Sequence, residues 1–324
     1  ARQERPAGEH LDALDERLRV GVKGRLQADV PVAVFLSGGV DSSVVAAIAA
    51  ATNPSQVRTF TVGFDVDGYD ESPHAQALAR HLGTEHVTER ATAADALALA
   101  TRVADAYDEP FADSSQLPTL LLCRLARRHV KVCLTGDGGD EMFGGYYRHH
   151  VLPRMAGTLG QMPSSLRHAS ASVIGLMAHP LLARGLEAVA GALPERLRVP
   201  QIGDKAGKFA AALRAGTLEQ MYANAIAWNR RPCRLLQAVG EHSVVRPAQG
   251  ELSSQEWLVL ADTQAYLPDD VLVKVDRASM HVGLETRTPF LDHRLAEYVW
   301  SIPSEQRFGP PRGRHPNKPL LRAI

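Results

Sequence analysis

The chain has 324 residues, with 36 Lys and Arg against 36 Asp and Glu, so no net field draws it to nucleic acid or to an anionic membrane. Its three cysteines, Cys123, Cys133 and Cys233, form no CxxC pair, which argues against a disulfide framework or a zinc ribbon and fits a reduced compartment. No apolar run approaches the roughly 18 residues of a membrane span, and no apolar signal core follows Ala1–Pro6, so a cytoplasmic protein is expected.

In chain order, Leu11, Leu14, Leu18, Val22 and Leu26 recur at helical spacing over residues 9–28. Val32–Phe35 then reads as a buried strand that empties into Leu-Ser-Gly-Gly-Val-Asp-Ser-Ser (36–43), and Val44–Ala49 begins a helix. A second strand is expected at Val57–Phe64, a helix over His74–Leu82 stopped by Gly83, and a short third strand at His86-Val87. Helices over Ala93–Tyr107 and Leu117–His129 follow, and Val130–Leu134 forms a strand that opens onto a second glycine-rich loop. Strands alternating with helices imply right-handed βαβ units, a parallel sheet covered on both faces, and ligands beyond the carboxyl ends of the strands. From about 151 to 300, Leu, Ala and Arg dominate and helices are expected, the arginines of 183–235 lying on solvated helix faces. The reading is an α/β core over about 10–150 and a mainly helical part over 151–324. With no initiator Met and an end in mid-element, the chain reads as a segment of a longer protein.

The two loops carry the chemistry. Glycines let backbone approach an anion closely, and a helix start offers free N–H groups and the positive end of the dipole. No lysine stands in 36–43, so this is not a Walker loop. The spacing resembles the pyrophosphate loop of the ATP pyrophosphatases; the competing reading is a plain strand–turn–helix junction. The second loop, Thr-Gly-Asp-Gly-Gly-Asp-Glu-Met-Phe-Gly-Gly-Tyr-Tyr (135–147), holds five glycines and three carboxylates, a poor recipe for a core. Mg²⁺ takes one or two carboxylates plus phosphate oxygens and water, and Asp41 and Asp140, one from each loop, are the expected pair. Lys274, within Asp269–Arg277 (DDVLVKVDR), is placed to stabilise departing pyrophosphate, or else pairs with Asp270 or Asp276.

SGGVDSS, TGDGGDEMFGGY and DDVLVKVDRASMHVGLETRTPFLDHR together resemble the synthetase domain of glutamine-dependent asparagine synthetases over nearly the whole chain. The resemblance implies an adenine-nucleotide α-hydrolase-like (Rossmann-like) sheet with a helical C-terminal half. It places Leu36, Val62, Thr135 and Gly136 on adenosine. Ser37, Gly38, Gly39, Asp41 and Ser42 would hold the phosphates, Asp41 and Asp140 Mg²⁺, and Lys274 the phosphate side. Asp137 takes the position of an acidic residue, commonly Glu, that serves formation or amination of an acyl-adenylate.

The implied reaction is adenylation of a carboxylate by ATP, most simply the aspartate side chain, followed by attack of ammonia to give asparagine and AMP. A glutaminase domain, absent from this chain, would supply the ammonia, so these residues alone should use ammonium and not glutamine. Asp137 in place of Glu, Thr135 in place of Ser, and the lack of arginine in 108–118 leave the acid open. Asp113 either shapes the acceptor pocket or caps a helix. Arg277, Glu285, Arg287 and Asp292 either support the site or form ordinary salt bridges. Three alternatives stand beside this reading: amide synthesis on a sugar acid, peptide or natural-product acid; a tRNA-modifying relative, against which the balanced charge speaks; and a non-catalytic nucleotide-binding domain, against which the joint presence of Asp41, Asp140 and Lys274 speaks. Homodimer formation is left open.

Overall fold

A computed structural model describes residues 5–52, 57–65, 70–179, 181–185, 202–227, 252–309 and 318–324. The first half alternates helix and strand: α1 (Ala7–Arg25), β1 (Val32–Phe35), α2 (Val40–Thr52), β2 (Arg58–Phe64), α3 (Ser72–Leu82), β3 (Glu85–Ala91), α4 (Ala93–Ala100), α5 (Val103–Tyr107), α6 (Gln116–Arg127), β4 (Val132–Leu134) and α7 (Gly139–Phe143). Then come α8 (Tyr147–Gly160), α9 (Ser164–Leu176), α10 (Ile202–Arg214), α11 (Leu218–Ile226) and α12 (Ser254–Ala261). A π-helix (Asp262–Leu272) follows, with α13 (Val273–His281), β5 (Glu285–Arg287), α14 (His293–Ser301), α15 (Ser304–Arg307) and α16 (Pro319–Ala323).

The five strands form one parallel sheet in the order β3-β2-β1-β4-β5, with Val34 opposite both Thr59 and Leu134, and Leu134 opposite Arg287. Successive side chains of a strand point to opposite faces. Accordingly Val34 and Leu134 pack with Leu14, Leu18 and Val22 of α1, Val45 and Ile48 of α2, and Val299 of α14. Ala33, Phe35 and Cys133 pack instead with Leu120 and Cys123 of α6 and Ala278 of α13. The sheet is covered on both faces, as the alternating pattern implies. Cys123 and Cys133 are fully buried core residues whose thiols desolvation pushes up, that of Cys123 to about 12; Cys233 lies outside the described residues.

Local signals set several boundaries. Gly83 ends α3 at φ +69°, and Thr92 with Asp95 forms a capping box at the start of α4. Three expectations need correction. β3 runs for seven residues rather than two, because it pairs with β2 along its whole length. The helix expected over 93–107 is broken into α4 and α5, and Asp108 ends the second at φ 61°. Within the stretch expected to be helical, Glu285–Arg287 forms an edge strand, held by Glu285 N–H on the Lys131 carbonyl (2.8 Å) and Thr135 N–H on the Arg287 carbonyl (2.9 Å).

The chain divides into two compact units, 1–146 with 259–324, and 147–258. The first contains the whole sheet, so residues 259–324 belong with the α/β core and not with the helices before them. In the second, α9 packs on α10 and α8 on α11. No helix among the described residues is long and apolar enough to cross a membrane.

Candidate active site

After β1 the chain builds the sheet toward β2 and β3, and only later returns to the other side of β1 as β4. Such a reversal of strand order leaves a crevice beyond the carboxyl ends of the two central strands. Both glycine loops start there. In the first, Ser37 and Ser42 share a hydroxyl hydrogen bond (2.9 Å), and the hydroxyls of Ser42 and Ser43 donate to the Gly39 carbonyl (3.2 and 2.6 Å). The turn is thereby held open ahead of the first turn of α2. Gly38 sits at φ +80°, where a Cβ would lie 2.8 Å from that of His74, so it serves the turn and its packing on α3. It does not line the cleft.

The second loop lies directly on the first. A Cβ at Gly136 would fall 2.8 Å from the Ser42 backbone nitrogen, and one at Gly139 would fall 2.5 Å from the Asp41 carboxyl carbon. Those two glycines are what lets the loops touch. The result is a cleft of about 700 Å³ lined by Leu36, Ser37, Gly39, Asp41, Ser42, Val62, Thr135, Gly136, Asp137, Asp140 and Lys274. All the site residues expected from sequence except Gly38 therefore share one cavity.

At the contact between the loops stands a residue that local sequence did not flag. The Lys318 ammonium donates to Asp41 Oδ2 and, at 2.6 Å, to Asp140 Oδ1. Burial works against the Lys318 charge, but the two carboxylates outweigh it and hold the ammonium above its usual range. Asp41 is pushed up to about 6, first by desolvation and then by the nearby Asp140 and Asp137 charges, against the pull of Lys318. Asp41 Oδ1 remains buried with no hydrogen-bond partner. Among the described residues no cluster of three or more metal-ligating side chains exists. Two carboxylates, one with an orphaned oxygen, already gathered around a cation and facing an open cleft, fit a hard ion that takes its other ligands from phosphate and water.

Asp137, in the second loop, lines the same cleft as Lys274. Desolvation raises its pKa, while Thr135 and the Lys274 charge oppose the rise. Lys274 itself, on the first turn of α13, pairs at 2.7 Å with Asp113 and not with Asp270 or Asp276. The Tyr107 hydroxyl donates to the Lys274 carbonyl (3.2 Å) and pins that turn. Asp113 also accepts from Ser115 N–H and Oγ (2.8 Å each) and precedes Ser115, the N-cap of α6, by two residues; it braces the helix start without being its cap. Burial pushes the Asp113 carboxyl up, yet Lys274 and Ser115 hold it below its usual range.

Glu141, also in the lining, is 1% exposed and accepts the Tyr146 hydroxyl at 2.6 Å; desolvation pushes it up to about 7. The remaining charged candidates form ion pairs away from the lining: Arg277 with Asp108, Arg287 with Glu285, and Asp292 with Arg25 and Arg294. Asp292 also caps α14.

The asparagine synthase family model matches residues 13–324. A Mycobacterium bovis protein named "Putative asparagine synthetase (glutamine-hydrolyzing)" is 33% identical over 306 residues, covering 90% of this chain and 42% of that protein. Asparagine synthetase (glutamine-hydrolyzing) 1 of Bacillus subtilis is 28% identical over 88% of this chain and 42% of its own length. The amidase chyE of Penicillium rubens is 30% identical over 91% of this chain and 46% of its own. The chain thus spans less than half the length of the curated relatives it matches. With the family match running from α1 to the last residue, and with both glycine loops and the Lys274 segment inside it, the chain belongs to the asparagine synthase family.

Proposed function

We propose that this chain carries out ATP-dependent amide synthesis through an acyl-adenylate. The observation that carries the reading is the contact of the two glycine loops at the strand reversal, with Asp41 and Asp140 gathered around Lys318. ATP lies with its phosphates over the first loop and the start of α2, and with adenosine against Leu36, Val62, Thr135 and Gly136. A substrate carboxylate oxygen attacks the α-phosphorus, the α–β phosphoanhydride bond breaks, and pyrophosphate leaves. Lys318 and the loop N–H groups are already in place where the negative charge grows, so little reorganisation is needed in the transition state. Lys274, also in the lining, adds positive charge toward the phosphates. Asp41 and Asp140 would hold Mg²⁺, which supplies counter-charge to phosphate oxygens.

In the second half, ammonia attacks the acyl carbon, its surplus proton passes to Asp137, and the bond to AMP breaks. Desolvation raises the Asp137 pKa and makes the carboxylate a stronger base than one in water, as acceptance of that proton requires. Aspartate is the first acid to test. A second reading, another carboxylic acid, is favoured by the cleft wall: the 108–118 segment has no arginine, and its Asp113 is committed to Lys274. Pyrophosphate release in the presence of ammonium, measured across a panel of acids with the amide product identified, tests both. Release that depends on aspartate supports the first reading; release with another acid alone supports the second. ATP turnover with no acid dependence, or none with any acid, would sink the proposal.

A further inference from the structure

The described lining of the cleft carries five carboxylates, Asp41, Glu71, Asp137, Asp140 and Glu141, against three cations, Lys274, Lys318 and Arg322. A triphosphate entering such a cleft meets more negative than positive charge, so what each cation is already doing decides what it can still offer. Lys318 answers two carboxylates, and Lys274 answers Asp113. Arg322 has no hydrogen-bonding or ion-pair partner for its guanidinium among the described residues, and the side chain is exposed.

Its place is fixed by α16. The Arg322 N–H donates to the Lys318 carbonyl (3.0 Å), so the two residues are one turn apart and lie on one side of the helix. One turn is about 5.4 Å along the axis. Arg322 therefore stands one turn beyond Lys318 on the same helix, and both side chains line the cleft. A guanidinium presents a planar fork of donors that matches phosphate oxygens two at a time and cannot lose its charge near neutral pH. Held in the wall of a carboxylate-rich cleft without a partner among the described residues, it is positioned for an anion that arrives with the substrate.

We propose that Arg322 is a pyrophosphate-binding residue, gripping the β- and γ-phosphates of ATP and then the departing pyrophosphate while Lys318 serves the α–β junction. This rests on the amide-synthetase reading above and extends it to the leaving-group end of the site. No bond is made to the arginine: the electron pair of the broken P–O bond stays on pyrophosphate, and Arg322 neutralises part of that charge.

The test is equilibrium binding of inorganic pyrophosphate, and separately of ATP, to the full 324-residue chain and to R322Q and R322K by calorimetry. Product inhibition by pyrophosphate and the KM for the carboxylic acid are measured alongside. A weakening of pyrophosphate binding by about tenfold or more in R322Q is expected, equivalent to about 1.4 kcal/mol. R322K should recover part of it, the KM for the acid should be unchanged, and the thermal midpoint should be unchanged for so exposed a side chain. Equal pyrophosphate binding by wild type and R322Q overturns the assignment and leaves the amide-synthetase reading standing. A raised KM for the acid with unchanged pyrophosphate binding assigns Arg322 to the acceptor and likewise overturns it. Failure of the wild-type chain to bind either ATP or pyrophosphate overturns both.

Discussion

Lys318 and Glu141 show how burial changes what a charged side chain does. Lys318 is almost fully enclosed, and it is the cation that lets Asp41 and Asp140 stand close together across the two loops. Replacing it by alanine leaves two carboxylates facing each other without compensation and removes the preformed positive charge at the phosphates. K318A should lower acid-dependent pyrophosphate release by about 10²–10³, the loss typical of removing one preorganised transition-state donor. K318R should keep part of the rate, since the charge remains and only the fit changes; equal rates in K318A and wild type would remove Lys318 from the mechanism. Glu141 makes a prediction about stability. Its pKa rises from the usual 4.5 to about 7 on folding, so between those values the folded chain holds one proton more than the unfolded chain. Stability must then fall as pH rises from about 4.5 to about 7. Asp41 acts in the same sense up to about 6, leaving the interval from 6 to 7 chiefly to Glu141. E141Q retains an acceptor for the Tyr146 hydroxyl without the charge. In chelator-treated buffer its thermal midpoint should be flatter than that of wild type between pH 6 and 7, and higher than that of wild type at pH 8.

Among the elements, the two glycine loops matter as a pair, because each is shaped by the other. Gly136 is at a close approach to the Ser42 backbone, which cannot swing aside as a flexible side chain would. G136A should push the loops apart by a few tenths of an ångström or more while leaving the sheet intact. The expected result is ATP binding weakened by at least about tenfold, given that misplacement of about 1 Å costs up to 10²-fold in activity. A fluorescent ATP analogue titration checks this, with the far-ultraviolet spectrum confirming the fold. The π-helix Asp262–Leu272 is the other element of note. Pro268 lies inside it, and a proline in an α-helix would clash with the preceding turn and remove a hydrogen bond. The wider π turn accommodates it and hands the chain to α13 with Lys274 one residue into its first turn. Much at this scale was readable beforehand: the strand–loop–helix order around 36–43 and the strand–loop order around 130–147 depend on apolar runs and glycines that are local in sequence, whereas the short helix Gly139–Phe143 inside the second loop was not expected. β5 was not, since Glu-Thr-Arg has no apolar alternation and becomes a strand only because the exposed edge of β4 offers it backbone partners.

For the whole molecule, the sheet and the cleft both belong to the unit built from 1–146 and 259–324, while 147–258 forms a second unit whose described elements are helices. The groups assigned to the proposed synthetase chemistry all belong to the first unit. These 324 residues, assayed as they stand, should therefore make amide with ammonium chloride and not with glutamine. Cys123 and Cys133, the cysteines of the described residues, are buried core thiols pushed far above neutrality, unsuited to attack glutamine. Amide formation from glutamine at a rate matching that from ammonium would refute this.

By itself the sequence determined the parallel α/β class, the two glycine loops, the family, and eleven of the residues that line the cleft. All of these are written in short segments where strand, turn and helix follow one another and where glycine spacing has a direct steric meaning. Only the tertiary structure decided the charges. Lys318 reaches Asp41 across 277 positions, and Lys274 reaches Asp113 across 161. Which carboxylate an ammonium meets, and whether a guanidinium such as Arg322 meets one among the described residues, depends on how distant elements fold onto the same strand ends. The physical reason is that a loop's shape follows from its own residues, whereas an ion pair in a cleft is set by the desolvated space that several elements enclose together.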